Sequence, residues 1–301
     1  MSAACAVLAT VAFSTGPALA ASAPAAALKV VSDKTVTGIP FPESVGCDAK
    51  GKVLYVSQFV SALKPTDKDG KGRISKVSLT GQVLEETFLP APGQILNKPK
   101  GVWISGNRLW TTDIDVLWVF DLKTKQGKSV ALPGVQFAND PAVMGKAAFV
   151  SDNRGDMLFK VEPADFLKAK APPKVTTMFT ARSINPNGIY PAPKGSLLIG
   201  GFMSDTVARG IYSMGPGGAT TPLTKDIGRV DGIHRMKDGS ILATDWNSGT
   251  LFHLSDQGGM QTLASGFKGP ADFCVMPHAG GQLVVVPDLV KSELRFIQLR
   301  R

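Results

Sequence analysis

The chain has 301 residues, of which 44% are apolar and 19% charged, with 33 Lys and Arg against 24 Asp and Glu. This composition excludes an intrinsically disordered protein, because such chains are poorer in apolar residues and carry more unbalanced charge. The 32 Gly and 21 Pro follow no three-residue period, which excludes a collagen-like chain. We therefore expect a globular protein with many turns.

The first twenty residues predict a secretory signal peptide. An apolar stretch at residues 4–13 is followed by the helix breakers Gly16 and Pro17 and by the small-residue site Ala18-Leu19-Ala20, so cleavage is expected before Ala21. No Lys or Arg precedes the apolar stretch, which departs from the usual pattern. We expect one mature domain, residues 21–301, with a periplasmic or secreted location.

The distribution of charge and of apolar runs bears on the partners. The net charge of +9 is spread among Lys-rich turns and does not form a basic stripe with aromatic residues, which argues against a nucleic-acid partner. The longest aliphatic run beyond the N-terminal segment is Leu283–Val286, far below the roughly 20 residues of a membrane-spanning helix. We expect no membrane span, and a small molecule as the substrate.

One sequence pattern recurs six times. A polar or small pair precedes an apolar segment, a Gly-containing turn and a second apolar segment. The second residues of the six repeats are separated by 57, 40, 47, 44 and 40 positions. A period of about 40 to 50 residues made of short strands is typical of propeller blades. The six second residues are Glu43, Lys100, Asp140, Asn187, Asp231 and Ala271.

Strand patterns within the repeats define the predicted fold. The fifth repeat contains four predicted strands, at residues 232–236, 241–244, 250–254 and 260–264. The sixth shows three, at 272–276, 282–286 and 293–299, while residues 27–36 form a spare strand before the first repeat. We predict an all-β, six-bladed β-propeller, closed by the N-terminal strand as the missing strand of the last blade. The one modest helical pattern, at 163–170, is too short to support an α/β fold.

Polar residues at the start of each predicted inner strand should converge on the central channel. Carboxylate and amide oxygens from several blades would suit a hard cation, and Ca²⁺ is favoured over Zn²⁺ because His and Cys are few. Asn187-Gly188 and Asp231-Gly232 are also common hairpin-turn dipeptides. However, Gly195 and Gly239, eight residues later, already supply the turns after these strands. The converging positions are Glu43, Lys100, Asn139, Asp140, Asn187, Asp231 and Asp272.

Four short segments carry a resemblance to a known family. The segments PESV (42–45), FAND (137–140), PNGI (186–189) and DGI (231–233) resemble the senescence-marker-protein/gluconolactonase family and, more distantly, paraoxonases and diisopropyl-fluorophosphatases. The likeness extends over the whole expected mature chain. It implies a six-bladed propeller with a central divalent ion. The implied ligands are Glu43, Asn139, Asn187 and Asp231.

The resemblance implies a divalent-metal-dependent hydrolase of lactone-like esters, in which water attacks a carbonyl polarised by the ion, Ca²⁺ being expected. Asp231 and Asp140 are the candidate bases, and Asp140 is the better one if it is not itself a ligand, because a cation-bound acid is a poor base. Sugar-lactonase members have an Arg two residues before the third-blade Asn, where this chain has Phe137. The alternative is a non-catalytic periplasmic propeller that binds a ligand or protein partner and uses the ion structurally.

The sequence does not settle the roles of two further residues or the pairing of two cysteines. Lys100 is either a cation that binds substrate or a solvated lysine at the rim, and His234 is either a base or a packed histidine. Cys47 and Cys274 lie in predicted inner strands of the first and sixth blades, which are neighbours where the ring closes. An oxidising compartment would permit a disulfide, whereas divergence of the two strands would prevent it.

Overall fold

The computed structural model describes Met1 and residues 27–180, 182–204 and 206–301. The predicted signal peptide, apart from Met1, therefore lies outside the described residues. Within them the chain forms six four-stranded antiparallel sheets, arranged as the blades of a propeller. This confirms the predicted all-β, six-bladed fold.

Each blade is a meander that starts at the central channel and ends at the outer edge. Strand β1 (Lys29–Thr37) precedes the first blade. Blade 1 contains β2 (Pro42–Asp48), β3 (Val53–Gln58), β4 (Arg73–Ser78) and β5 (Val83–Leu89). Blade 2 contains β6 (Pro99–Ser105), β7 (Arg108–Asp113), β8 (Val116–Asp121) and β9 (Gly127–Ala131). Blade 3 contains β10 (Ala138–Met144), β11 (Ala147–Asp152), β12 (Met157–Glu162) and β13 (Lys174–Thr180).

The second half of the ring repeats this order. Blade 4 contains β14 (Pro186–Ala192), β15 (Ser196–Gly201), β16 (Ile211–Met214) and β17 (Thr220–Pro222). Blade 5 contains β18 (Val230–Arg235), β19 (Ile241–Asp245), β20 (Thr250–Leu254) and β21 (Met260–Ala264). Blade 6 contains β22 (Cys274–His278), β23 (Gly281–Asp288) and β24 (Glu293–Arg300). Its outermost strand is β1, which pairs antiparallel with β24 from Lys29 opposite Arg300 to Thr37 opposite Glu293, as the sequence predicted.

The segment at residues 163–170 is not a helix, and among the described residues the one helical element is a 3₁₀ turn at Pro193–Gly195. The side chain of Phe166 is fully buried against blades 2 and 3, and the indole of Trp110 donates a hydrogen bond to the carbonyl of Ala164 (2.9 Å). Tertiary contacts therefore hold this segment as a loop. No helix long and apolar enough to cross a membrane occurs among the described residues.

The apolar core is divided among the spaces between blades. In the described part of the chain, six clusters of buried side chains each join two neighbouring sheets, including the sixth with the first. Both faces of the inner strands are consequently covered, and β11 is buried at every position. The second strand of a blade therefore reads as a continuous apolar run, a pattern typical of sheets buried on both faces.

The ring is also closed covalently. Cys47 and Cys274 form a disulfide, with their Cα atoms 5.6 Å apart. The inner segments of blades 1 and 6 do not diverge here: Ser44 and Asp272 form a parallel β-bridge, and the Asp272 amide donates to the carbonyl of Glu43 (3.2 Å). The sequence left open whether Cys47 and Cys274 are bonded, and in the structure they are.

Candidate functional site

In five of the six blades, the polar position at the start of the inner strand lies in a β-bulge. In blades 1 to 5 of the described chain, the register between first and second strands shifts at this point. A bulge leaves a residue out of the ladder and redirects its side chain. The bulges therefore turn these side chains toward the channel. We call the six residues Glu43, Lys100, Asn139, Asn187, Asp231 and Ala271 the ring residues.

Glycine follows three of the ring residues, at Gly101, Gly188 and Gly232, because neighbouring strands approach closely there. A Cβ atom on Gly188 would lie 2.1 Å from the carbonyl oxygen of Asp231, and one on Gly232 would lie 2.7 Å from the Phe273 ring. Such contacts are far shorter than van der Waals distance. The Asn-Gly and Asp-Gly pairs therefore belong to inner strands, and the hairpin-turn interpretation does not apply to them.

A repeated aspartate at the end of the second strand holds the segment that leads into the inner strand. Asp113 accepts hydrogen bonds from the amides of Asn97 and Lys98 (2.8 Å each), and Asp152 accepts from Gln136 and Phe137 (2.7 and 3.0 Å). The equivalent residues in blades 5 and 6 are Asp245 and Asp288. These carboxylates fix the backbone two or three residues before a ring residue. Their role is therefore structural.

Four ring residues line one cavity of about 680 Å³, which we call the ring cavity. Within the described residues, three of them carry a buried oxygen without a hydrogen-bond donor: Glu43 Oε2, Asn187 Oδ1 and Asp231 Oδ1. Buried polar atoms are nearly always paired, so these oxygens require a partner that the protein itself does not supply. The four ring residues in the cavity are Glu43, Asn139, Asn187 and Asp231.

The electrostatics of this cluster point to the same missing partner. Burial raises the pKa of Glu43 well above its usual value, and the neighbouring charge of Asp231 raises it further. Burial also raises the pKa of Asp231, with the charge of Asp272 as the second cause. Two carboxylates held close together in a buried site repel each other unless a cation compensates them.

The donor set fits a divalent cation. Two carboxylates balance a charge of +2, and two amide oxygens add neutral ligands of the hard type that Ca²⁺ prefers. No group of three His, Cys, Asp or Glu side chains suited to a metal occurs in the described ranges. A cation in the ring cavity would therefore depend on the amide oxygens of Asn139 and Asn187 as well as on the two acids.

Lys100 is fully buried beside this cluster and does not lie at a solvated rim. Its ammonium lies 4.2 Å from the ring centroid of Phe137 and 5.9 Å from that of Phe59, and it donates to the Lys98 carbonyl (3.4 Å). Burial lowers the pKa of Lys100, and the charge of Glu43 opposes this effect. Phe59 and Phe137 line the ring cavity and Lys100 does not, but the charge of Lys100 lowers the pKa of Glu43.

Asp140 and Asp272 lie farther along the channel, in a smaller cavity of about 180 Å³ that also contains Ile189 and His234, here called the inner cavity. Asp140 accepts a hydrogen bond from the amide of Ile189 (2.8 Å), and Asp272 accepts one from the Ser44 hydroxyl (2.5 Å). The ring cavity does not include the carboxylate of Asp140. The two candidate bases, Asp231 and Asp140, therefore lie in different cavities.

His234 is at the opposite end of the channel from the ring residues. It lines the inner cavity and a cavity of about 500 Å³ that opens beside Arg235 and Arg300, and its ring lies 4.4 Å from that of Tyr190. Burial lowers the pKa of His234 to about 4. His234 is thus a neutral, packed histidine in this structure. This matches the packed-histidine interpretation of the sequence rather than the base.

The walls of the ring cavity contain residues that the sequence analysis missed. Asn153 and Asn185 each place a buried Oδ1 atom without a donor among the described residues, and Asn185 donates to the carbonyl of Asn153 (3.0 Å). Arg154 is the second residue after the end of β11 and is exposed. These residues come from loops after second strands and before an inner strand, where the repeat pattern carries no signal. The apolar wall consists of Phe59, Leu63, Pro65, Phe137, Phe202, Met203, Trp246 and Leu289.

Comparison with known proteins gives the fold a context. No protein-family model matches the chain, and no curated protein sequence matches it. Solved structures do match. A gluconolactonase from Xanthomonas campestris is 13% identical with a TM-score of 0.64, covering 90% of this chain and 91% of that one. A structure assigned as a gluconolactonase is 15% identical with a TM-score of 0.66, covering 91% of this chain and 94% of that one.

A lyase has the same fold. Virginiamycin B lyase from Staphylococcus aureus is 12% identical with a TM-score of 0.62, covering 91% of this chain and all of that one. The chain is therefore a propeller whose structural neighbours include gluconolactonases, which agrees with the resemblance of the four segments. At these identities the likeness establishes the fold, and a propeller fold hosts many chemistries.

Proposed function

We propose that the protein hydrolyses lactone-like esters in the ring cavity with the help of a bound divalent cation, most simply Ca²⁺. The observation that supports this most is the set of three buried oxygens without donors on Glu43, Asn187 and Asp231, all facing a cavity large enough for a small substrate. A purely structural ion would not need an open cavity of this size beside it.

The residues that would hold the cation are Glu43, Asn139, Asn187 and Asp231. When bound, the ion would supply a Lewis acid for the ester carbonyl oxygen. The protein fixes its ligands before substrate arrives, because bulges and blade-to-blade contacts hold them. In particular, Nδ2 of Asn187 donates to Oδ2 of Asp231 (3.2 Å), which orients both side chains.

The chain's own part in the reaction is to orient water and move a proton. The Asp231 carboxylate would hold the cation and would also accept a proton from water as the water oxygen bonds to the carbonyl carbon. The ring C–O bond then breaks, and the same proton passes to the departing alkoxide oxygen, so the product is a hydroxy acid. A bound cation would lower the basicity of Asp231, whereas burial and the charge of Asp272 raise its pKa. The geometry favours Asp231 over Asp140 as the base because the Asp140 carboxylate lines the inner cavity.

The test is turnover by the purified mature protein loaded with Ca²⁺. A panel of γ- and δ-lactones, aryl esters and organophosphates would be followed by proton release. We expect hydrolysis of at least one lactone, loss of activity on chelation, and a fall of 100-fold or more in kcat for Asp231→Asn. Asp140→Asn should affect kcat less if Asp231 is the base. Metal binding without any turnover would favour the alternative, a non-catalytic propeller with a structural ion.

We also propose that the protein works in the periplasm or outside the cell. The disulfide between Cys47 and Cys274 supports this location, because such bonds persist in oxidising compartments. Mass spectrometry of protein secreted by the native host tests it. The expected mature N-terminus is Ala21, and an intact N-terminus in the cytoplasmic fraction would contradict the proposal.

A further inference from the structure

The walls of the ring cavity contrast with its floor. The floor is polar, with carboxylate and amide oxygens. The walls combine eight apolar side chains, four of them aromatic, with a smaller polar set, Asn153, Arg154, Asn185, Ser204 and Arg229. Phe202 and Trp246 form an edge-to-face pair, with ring centroids 6.1 Å apart, on one side. Against this aromatic side, a ligand with many hydroxyls would lose hydrogen bonds to water without replacing them. An apolar or aromatic body would bury surface there instead.

Two arginines line the ring cavity, Arg154 and Arg229, and Arg154 is the more exposed of the two. Arg154 is exposed, and its guanidinium carbon lies 4.2 Å from the ring centroid of Phe137. It forms no ion pair with a carboxylate among the described residues, whereas Arg73 and Arg295 each form one and Arg108 forms two. A guanidinium held against an aromatic ring keeps N–H groups at its edge for a carboxylate, which it can bind in a bidentate manner.

The position of Arg154 is set by its neighbours. It follows Asp152, whose carboxylate accepts the amide hydrogen bonds of Gln136, Phe137 and Gly155. The same carboxylate therefore fixes both the segment that bears Phe137 and the turn that bears Arg154. The arginine and the ring beneath it are held as one unit at the mouth of the cavity.

We infer that the ring cavity selects ligands that combine an apolar or aromatic body with a carboxylate, and that Arg154 binds this carboxylate. The body lies against the wall of Phe202 and Trp246. This inference rests on the proposed function in one respect only, since it takes the reacting ester to lie at the ring residues. Arg154 is a specificity-determining residue and not a member of the ion site.

Binding tests the inference without turnover. The probes are 3-phenylcyclopentanone and its 4-carboxyphenyl analogue, which cannot be hydrolysed because a ketone replaces the ester. Calorimetry with the Ca²⁺-loaded full chain should show that the carboxylate analogue binds at least tenfold more tightly. Arg154→Gln should remove that preference and leave the affinity for the uncharged ketone unchanged. Arg235→Gln, at the opposite end of the channel, is the matched control and should change neither affinity.

A second arm uses γ-phenyl-γ-butyrolactone and its 4-carboxyphenyl analogue as substrates. Arg154→Gln should raise KM for the carboxylate lactone about tenfold with little change in kcat, and Arg154→Lys should restore part of the loss. If neither lactone turns over but the ketones behave as expected, the proposed function fails and the inference stands. If Arg154→Gln keeps the full preference for the carboxylate, or if glucono-δ-lactone is preferred over both phenyl lactones, the inference is wrong, whatever the turnover.

Discussion

The side-chain amide of Asn187 donates a hydrogen bond to Oδ2 of Asp231 across the boundary between the fourth and fifth blades (3.2 Å). This bond uses one donor and one acceptor and leaves Oδ1 of each residue buried without a donor among the described residues. Glu43 brings a third such oxygen from the first blade. Residues from three separated parts of the chain thus line one cavity, and the unfolded chain cannot reproduce that arrangement.

Adding Ca²⁺ should therefore stabilise the folded state. Linkage predicts a gain of about 2.7 kcal/mol in the free energy of unfolding when the ion is at a hundredfold its dissociation constant. Differential scanning calorimetry of the chelated protein, with and without Ca²⁺, measures the shift in Tm. Asp231→Ala should abolish the shift, whereas Asp256→Ala, which removes an exposed acid in a turn of the same blade, should preserve it. A Tm that does not respond to Ca²⁺ in the unmutated protein would contradict the site.

Lys100 should weaken the binding of a cation. Its buried ammonium is close enough to Glu43 for each charge to shift the pKa of the other. Two cations sharing one carboxylate repel each other, and at the effective dielectric of a protein site the cost exceeds about 1.4 kcal/mol, or tenfold in affinity. We expect Lys100→Met to lower the Kd for Ca²⁺ by about tenfold or more in calorimetric titration. Lys76→Met, at a lysine 5.6 Å from the centroid of the Phe88 ring, is the control. An unchanged or higher Kd in Lys100→Met would refute the repulsion.

The sequence predicts the fold because the fold follows from the repeat, and the same repeat marks the ring positions. Strands β20 and β21 have the predicted bounds, and four polar residues in register gather in one cavity. The bulges that turn those residues inward leave no mark on the sequence, since they arise from pairing between strands. The wall residues Arg154 and Trp246 were missed because they follow second strands, in loops whose lengths differ from blade to blade.

Two further differences have clear physical causes. Lys100 is buried beneath Phe137 rather than solvated, because aromatic rings cover a position that reads as an ordinary lysine. Residues 163–170 form a loop because Phe166 fills the core between blades 2 and 3. In both cases contacts between distant segments decide the outcome, and a local pattern cannot contain them.

His234 should make the protein less stable in mild acid. Its pKa in the folded protein is about 4 because of burial, against an ordinary value near 6.5. Between these values the unfolded chain binds a proton that the folded protein does not, so stability falls as pH decreases from about 6.5 to 4. The slope from this one residue is at most about 1.4 kcal/mol per pH unit. Below the folded pKa both states are protonated and the contribution no longer changes.

Urea denaturation at several pH values would measure this effect as a difference between variants. His234→Phe keeps an aromatic ring beside Tyr190 and removes the titration, so its free energy of unfolding should fall less steeply between pH 6.5 and 4. His278→Phe, at an exposed strand end, should retain the slope of the unmutated protein. If the free energy of unfolding of His234→Phe and of the unmutated protein fell equally with decreasing pH, burial of His234 would not control its protonation.

The disulfide should contribute strongly to stability because it joins distant parts of the chain. Cys47 and Cys274 are separated by 227 residues and connect the blades at which the ring closes. For a loop of this length the chain-entropy model gives roughly 5 kcal/mol, through restriction of the unfolded state. We expect the Cys47→Ser, Cys274→Ser double variant to keep its strand content and to unfold at a lower urea concentration. Reduction should lower the midpoint of the unmutated protein to the same value and leave the variant unchanged. Thiol titration of the unfolded, unreduced mature protein supplies the direct check: no free thiol is expected, and two free thiols would exclude the bond.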